Sequence, residues 1–141
     1  MFFKKFFSKS FEQVLTKADF LFNDGHYADA RQYYLDALEK IQDSANEEQY
    51  RSQIYEMMAK CGNILAEMNI CEAEAAIRSG NSQKAAEYLE LSLELTDDVK
   101  VRESAEKLLF SLTQLSTTAN NKLEPAEKQA CSSCSSSSLR R

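Results

Sequence analysis

The sequence contains few of the residues that interrupt helices: its 141 residues include only three glycines and one proline. These two residue types are the least favourable in a helix interior, whereas alanine, leucine, glutamate, lysine and glutamine are favourable there. The helix-favouring types dominate this chain. The composition therefore predicts an all-α fold, and the length suits one domain with tails.

Long apolar runs and dense cysteine spacing are also missing. No stretch of about 18 apolar residues, as a membrane-spanning helix needs, is present. The opening stretch places lysines between its phenylalanines and lacks a small-residue cleavage site, so we expect neither a transmembrane span nor a standard signal peptide. The four cysteines do not follow the spacing of a secreted disulfide scaffold. These features predict a soluble protein of the reducing cytoplasm.

Histidine is scarce, since His26 is the only one in the chain. It follows Gly25, where an exposed turn residue is the simplest interpretation. No histidine–cysteine pair, phosphate-binding glycine loop or metal-binding histidine pair can be assembled, and the carboxylates are scattered as on an exposed helix surface. We therefore expect no enzymatic activity and no cofactor.

Positive charge is scarce in the body of the chain. Residues 11 to 118 hold 10 basic and 20 acidic side chains, a net charge of −10, whereas residues 1 to 10 hold three lysines and no acid. Nucleic-acid binding depends on clustered Lys and Arg. The charge distribution argues against a nucleic-acid partner and favours a basic or apolar peptide or helix of another protein.

A pattern of small residues, aromatics and a glycine occurs twice, and the glycines Gly25 and Gly80 lie 55 residues apart. The copies span about Phe11 to Gln42 and about Ala66 to Asp98. Each is interpreted as two helices joined by a tight turn, with glycine in the left-handed conformation and alanines where the helices approach closely. The aligned residues are Ala18, Leu21, Gly25, Tyr27, Ala30, Tyr33, Tyr34, Ala37 and Leu38 in the first copy, and Ala73, Ala76, Gly80, Ser82, Ala85, Tyr88, Leu89, Ser92 and Leu93 in the second.

This pattern resembles the tetratricopeptide repeat, in which a small residue precedes a turn glycine, followed by an aromatic, alanine, a second aromatic, and alanine with leucine. The first copy follows the pattern, whereas the second departs from it at Ser82 and Ser92. Both lack the early tryptophan, with Val14 and Asn69 in its place, and neither ends in proline. The resemblance implies antiparallel helix hairpins that stack as a fragment of an α-solenoid and serve as a protein-binding scaffold.

In the tetratricopeptide family the first helices of successive hairpins line a groove that receives an extended peptide or a partner helix. Matched by position, the resemblance implies a set of groove residues in this chain, for which ordinary solvated helix surface is the alternative. Acids predominate in the set, unlike the Lys, Asn and Arg of members that bind acidic C-terminal peptides. The set is Glu12, Leu15, Asp19, Phe22 and Asn23 from the first copy, and Glu67, Ile70, Glu74 and Arg78 from the second.

The segments after each copy are also predicted to be helical. Residues 46 to 79 hold one unbroken helical pattern, which predicts an extended middle helix; a kink or break at Gly62 is the alternative. Asp97 and Asp98 provide a capping signal for a final helix that would cover the end of the stack. We thus predict a helical domain over residues 11–118. Two repeats are fewer than the three or more that usually bury a continuous core, so a homodimer is a further expectation.

Residues 1–10 are predicted to form an amphipathic extension that continues into the first helix, with phenylalanines opposite lysines. This apolar face would pack on the first hairpin or on a partner, or would attach to an anionic membrane surface at the cytoplasmic side. A peripheral membrane adaptor is therefore an alternative function. The phenylalanines are Phe2, Phe3, Phe6 and Phe7.

Residues 119–141 form a tail rich in serine and cysteine, which is predicted to be disordered because it cannot bury enough apolar surface. Cys131 and Cys134 have a spacing that can chelate a soft metal or form a redox pair. Cys61 and Cys71 lie about 15 Å apart along a helix axis, so they cannot jointly complete such a site. Two interpretations stay open: a tail without chemistry, and metal, redox or lipid attachment at these cysteines.

Overall fold

The structure is a computed structural model that describes residues 10–41 and 47–138, with side chains for residues 10–41 and 49–119. Within these ranges it contains helices and no strand, which confirms the predicted all-α class. None of the described helices combines the length and apolarity that crossing a bilayer requires. The helices are α1 (Phe11–Asn23), α2 (Tyr27–Lys40), α3 (Glu47–Arg78), α4 (Ser82–Leu95) and α5 (Val99–Ser138).

Two glycine turns connect α1 to α2 and α3 to α4. Gly25 has a φ of 83° and Gly80 a φ of 79°, so both adopt the left-handed conformation that the sequence predicted. After α1, the backbone N–H of Gly25 donates to Phe22 and that of His26 to Leu21. These bonds satisfy carbonyl groups that the helix end would otherwise leave unpaired.

Small side chains let α1 and α2 approach closely. Ala18 of α1 and Ala30 of α2 are completely buried, and the ring of Tyr34 is also fully buried beside them. The N-terminal half of α3 completes this core with Ile54 and Cys61. The predicted close contact between the first two helices is therefore confirmed, and three helices share the core.

Helix α3 is continuous over 32 residues, as one of the two sequence-based alternatives predicted. It is not broken at Gly62, which was the other alternative. Its C-terminal half packs against α4, where the Ser92 hydroxyl donates to the Ala66 carbonyl at 2.9 Å. The Thr96 hydroxyl bonds to the Asn63 side chain one turn away. Of these two hydrogen bonds, the one made by the later residue, Thr96, reaches the earlier residue of α3, Asn63, so the two helices are antiparallel.

The chain divides into two compact units, the first ending at Ala105 and the second beginning at Glu106. In the first unit α5 begins with the predicted cap, because the Asp98 carboxylate accepts bonds from the backbone N–H groups of Lys100 and Val101. The backbone of α5 is helical as far as Ser138, and the predicted disorder of residues 119–141 stays a prediction.

Candidate functional site

A small cavity of about 90 Å³ lies between α1, α2 and the N-terminal half of α3. Leu15 and Asp19 of α1 line one side, and Gln53 and Met57 of α3 line the other. Asp19 and Gln53 are exposed, whereas Leu15 and Met57 are half-buried. The fully buried side chains of Tyr34 and Ile54 complete the lining. The cavity lining therefore combines apolar side chains with polar groups that reach solvent.

Aromatic contact and helix capping position α1 beside α3. The rings of Phe11 and Tyr50 meet edge to face, with centroids 5.6 Å apart, at the first turns of the two helices. Ser10 and Gln13 form a reciprocal capping box that begins α1 immediately before this contact. Because the two helices begin together, Leu15, one turn beyond Phe11, lies near Ile54, one turn beyond Tyr50.

The polar part of the cavity is a hydrogen-bonded pair. The Tyr34 hydroxyl donates to Oδ1 of Asp19 at an oxygen–oxygen distance of 2.6 Å. Burial, and then the hydrogen bond to Asp19, raise the pKa of Tyr34 above its ordinary value. The hydroxyl therefore keeps its proton and donates it to the carboxylate. Asp19 makes no ion pair with any residue in the described part of the chain.

Three other groove candidates from the first copy lie outside this cavity. Glu12 borders a separate open depression on α1, together with Lys17 and Phe20. The Phe22 ring packs edge to face on Tyr27, with centroids 5.4 Å apart. Asn23 is exposed at the last residue of α1. The structure thus brings only Leu15 and Asp19 of the first set into the cavity, and the binding role of the others stays a prediction.

The second set of candidates lies on the C-terminal half of α3. Glu67, Glu74 and Arg78 are exposed and Ile70 is half-buried. At 1.5 Å per residue, this set begins about 20 Å along the helix axis beyond Ile54 and extends to about 36 Å. The structure therefore does not bring the second set to the cavity, and its role in binding also stays a prediction.

The sequence analysis missed the second side of this cavity. The apolar period of α3 placed Ile54 and Met57 on a helix face, but that stretch was interpreted only as an extension toward the second copy. No sequence pattern marked Gln53 as a candidate binding residue. The aromatic residues could have indicated this packing. Phe11 and Tyr50 each begin a helical apolar pattern, and the two apolar faces could pack against each other.

The remaining candidate residues lie near the two ends of the chain. The phenylalanines Phe2, Phe3, Phe6 and Phe7 lie outside the described residues. Cys131 and Cys134 lie on the helical backbone of α5, and their side chains are outside the described set. Among the described residues, no three His, Cys, Asp or Glu side chains are grouped to hold a metal ion. The membrane and cysteine hypotheses therefore stay predictions.

Three residues considered in the sequence analysis have simple environments. His26 is exposed in the first turn region, as predicted, with Nε2 at 3.1 Å from Oδ2 of Asp24. Cys61 is buried in the core and Cys71 is exposed, so the two thiols differ in access to solvent.

Comparison of the chain with protein-family models, with curated proteins and with solved structures gave no match.

Proposed function

We propose that this protein is a tetratricopeptide-like scaffold that binds a segment of another protein between α1 and the N-terminal half of α3. One observation carries the proposal: α1 and α3 together line a single cavity that opens to solvent. Its lining includes Leu15 and Asp19 of α1 and Gln53 and Met57 of α3. Binding sites often lie between neighbouring helices.

The resemblance of the first copy to a tetratricopeptide repeat supports a binding role. Its glycine turn at Gly25 and its buried alanines agree with a hairpin built by size complementarity. The chemistry of the cavity also favours binding over catalysis. A single carboxylate bonded to a tyrosine lacks the second, differently tuned group that general acid–base catalysis uses.

The charge of the body indicates what kind of segment would bind. Residues 11 to 118 carry a net charge of −10, and Asp19 is the one acidic residue among the described residues that line the cavity. An acidic segment would be repelled, whereas a basic or apolar one would meet a complementary potential and apolar surface. The proposed partner is therefore a basic amphipathic peptide or helix.

A selection from a library of random linear peptides displayed on phage tests this proposal without a known partner. The full chain is the target, and enriched peptides are synthesised and their affinities measured by fluorescence anisotropy. Gln53→Arg places a bulky cation at the cavity, and we expect it to weaken binding at least about tenfold, equivalent to 1.4 kcal/mol. Gln83→Arg makes the same change at an exposed position of α4 and should leave affinity unchanged.

The proposal is contradicted if no peptide is enriched over an unrelated helical protein. It is equally contradicted if every enriched peptide binds the Gln53→Arg and Gln83→Arg variants with the same affinity. Circular dichroism of both variants checks that the helices are retained. Gln53 is exposed, so its substitution leaves the core residues in place.

A further inference from the structure

We infer that the cavity between α1 and α3 takes one cationic side chain of the partner, an arginine or a lysine, whose charged end pairs with Asp19 while its aliphatic stem contacts Leu15 and Met57. This inference rests on the proposed function and assigns the chemistry of its anchor residue. The cavity lining carries the argument, because it joins one carboxylate to three apolar side chains in a volume of about 90 Å³.

The composition of the lining favours a ligand side chain that has one apolar part and one charged part. Leu15 and Met57 are half-buried and provide apolar surface, and Asp19 and Gln53 are the exposed polar residues. Lysine and arginine carry an apolar stem that packs on such surface and a charged end that stays near water. A purely apolar side chain would cover the carboxylate without giving it a partner, and burying an unpaired charge is unfavourable.

The hydrogen bond from Tyr34 prepares Asp19 for this role. Tyr34 is completely buried, so its hydroxyl position is determined by the core, and it holds Oδ1 of Asp19 at 2.6 Å. One oxygen of the carboxylate is thereby fixed before a ligand arrives. A preorganised group loses less conformational entropy on binding, which favours affinity.

The acceptors at the cavity match the donors of a cation. The second carboxylate oxygen of Asp19 has no hydrogen bond to a described residue, and Gln53, whose side chain carries an amide oxygen, lines the opposite side. Ammonium and guanidinium groups are donors only, so both oxygens can accept from them. Guanidinium presents several donors in one plane and can reach two acceptors together.

A nuclear magnetic resonance titration of the ¹⁵N-labelled full chain tests the inference with small probes. The probes are n-butylguanidinium, n-butylammonium and the neutral, similarly shaped n-butylurea. We expect saturable shifts of the amides of Asp19, Gln53 and Met57 with the two cations, and binding at least about tenfold weaker with n-butylurea. Comparison of the two cations identifies arginine or lysine as the preferred side chain.

Two matched variants assign the effect to one carboxylate. Asp19→Asn removes the charge and keeps an oxygen for Tyr34, and we expect it to weaken binding of the cations at least about tenfold. Asp29→Asn makes the same change at an exposed position of α2 and should have no effect. Equal binding of n-butylurea, equal behaviour of the two variants, or the absence of saturable shifts at the cavity would each overturn the inference.

The peptides from the phage selection separate this inference from the proposed function. If they lose affinity with both Gln53→Arg and Asp19→Asn, the proposed function and the cationic anchor are both supported. If they lose affinity with Gln53→Arg and are indifferent to Asp19→Asn, the groove binds partners without a cationic anchor. In that case the inference fails and the proposed function stands.

Discussion

Tyr34 connects the core of the protein to its candidate site. Its ring is buried among the helices of the first core, and its hydroxyl donates to the exposed Asp19 at 2.6 Å. A buried tyrosine needs a hydrogen-bond partner for its hydroxyl. In this protein the partner is a residue of the cavity, so a requirement of folding also positions the carboxylate proposed to bind the ligand.

We predict that Tyr34→Phe lowers the free energy of unfolding by about 1 kcal/mol at pH 7, the usual contribution of one hydrogen bond. The raised pKa of Tyr34 means that the folded state holds this proton more tightly than the unfolded chain. Its stabilising effect is complete below the unfolded pKa of about 10 and is lost as the pH rises above it.

Urea unfolding at pH 9.5 and pH 11 measures this effect. The wild type should lose about 1 kcal/mol more than Tyr34→Phe between these two pH values, since the unfolded tyrosine ionises first. Tyr55→Phe is the matched control because Tyr55 is exposed. Identical losses in the wild type and in both variants would contradict a role for the Tyr34 hydroxyl.

Cys61 and Cys71 are predicted to react with alkylating reagents at very different rates. Cys61 is buried and its burial raises the pKa of its thiol, whereas Cys71 is exposed. Since the thiolate is the reactive form, Cys61 should react only when the core opens, at least about 100-fold more slowly than Cys71. Peptide mass spectrometry after timed iodoacetamide treatment measures both rates, and comparable rates would show that the core is not closed around Cys61.

At the scale of the helix, Gly62 is a point of close approach between α3 and α4. A β-carbon at this position would overlap the backbone carbonyl oxygen of Leu95. The sequence analysis treated Gly62 only as a weak point of the helix. The structure gives it a different role, since the missing side chain makes room for the end of α4.

We predict that Gly62→Ala destabilises the protein by about 1–3 kcal/mol, because backbone atoms of α4 would have to move. Helix propensity alone predicts the opposite, a gain of about 1 kcal/mol. Ala59→Gly, at an exposed position of the same helix, measures that propensity effect separately. Urea unfolding compares the two variants, and a stabilised Gly62→Ala protein would disprove the close contact.

The contact between α1 and α2 leads to a similar prediction. Ala30 is completely buried, so Ala30→Leu should overpack the hairpin and cost about 1–3 kcal/mol of stability. Ala28→Leu introduces the same side chain at an exposed position of α2 and should change stability by less than about 0.5 kcal/mol. Thermal and urea unfolding test the pair. Equal stability of the two variants would argue that Ala30 does not pack between helices.

On the scale of the whole molecule, the two copies share one helix. Adding 55 to the residue numbers that bound α2 gives the bounds of α4. Adding 55 to those that bound α1 gives residues 66–78, which are the last part of α3. Helix α3 packs against both α2 and α4. The second copy therefore has no separate first helix, because its first helix is the continuation of the one that completes the first core.

This arrangement predicts that continuity of α3 stabilises the whole first unit. Ala59→Pro removes a backbone donor and introduces a clash in the middle of α3, which should cost about 3 kcal/mol or more. Ala59→Gly keeps the backbone bonds and should cost about 1 kcal/mol. Denaturant unfolding followed by far-ultraviolet circular dichroism measures both. If the two variants were equally stable, α3 would be interrupted near this residue in solution.

Much of this fold could be predicted locally. The scarcity of glycine and proline, the turn residues Gly25 and Gly80, the cap at Asp98 and the long pattern over residues 46–79 each act through neighbouring residues in the chain. Their outcomes were therefore predictable from spacing and residue type alone. The groove residues predicted from the second copy lie on the C-terminal half of α3, away from the cavity, and their role in binding stays a prediction.

The sequence by itself determined which segments are helical and where the chain reverses, because helix propensity, capping and the left-handed preference of glycine depend on a few adjacent residues. Only the tertiary structure decided that α3 lies beside α1, that Gln53 and Met57 face Leu15 and Asp19, and that Gly62 receives a carbonyl of α4. These outcomes depend on contacts between residues far apart in the chain, for which no local preference exists.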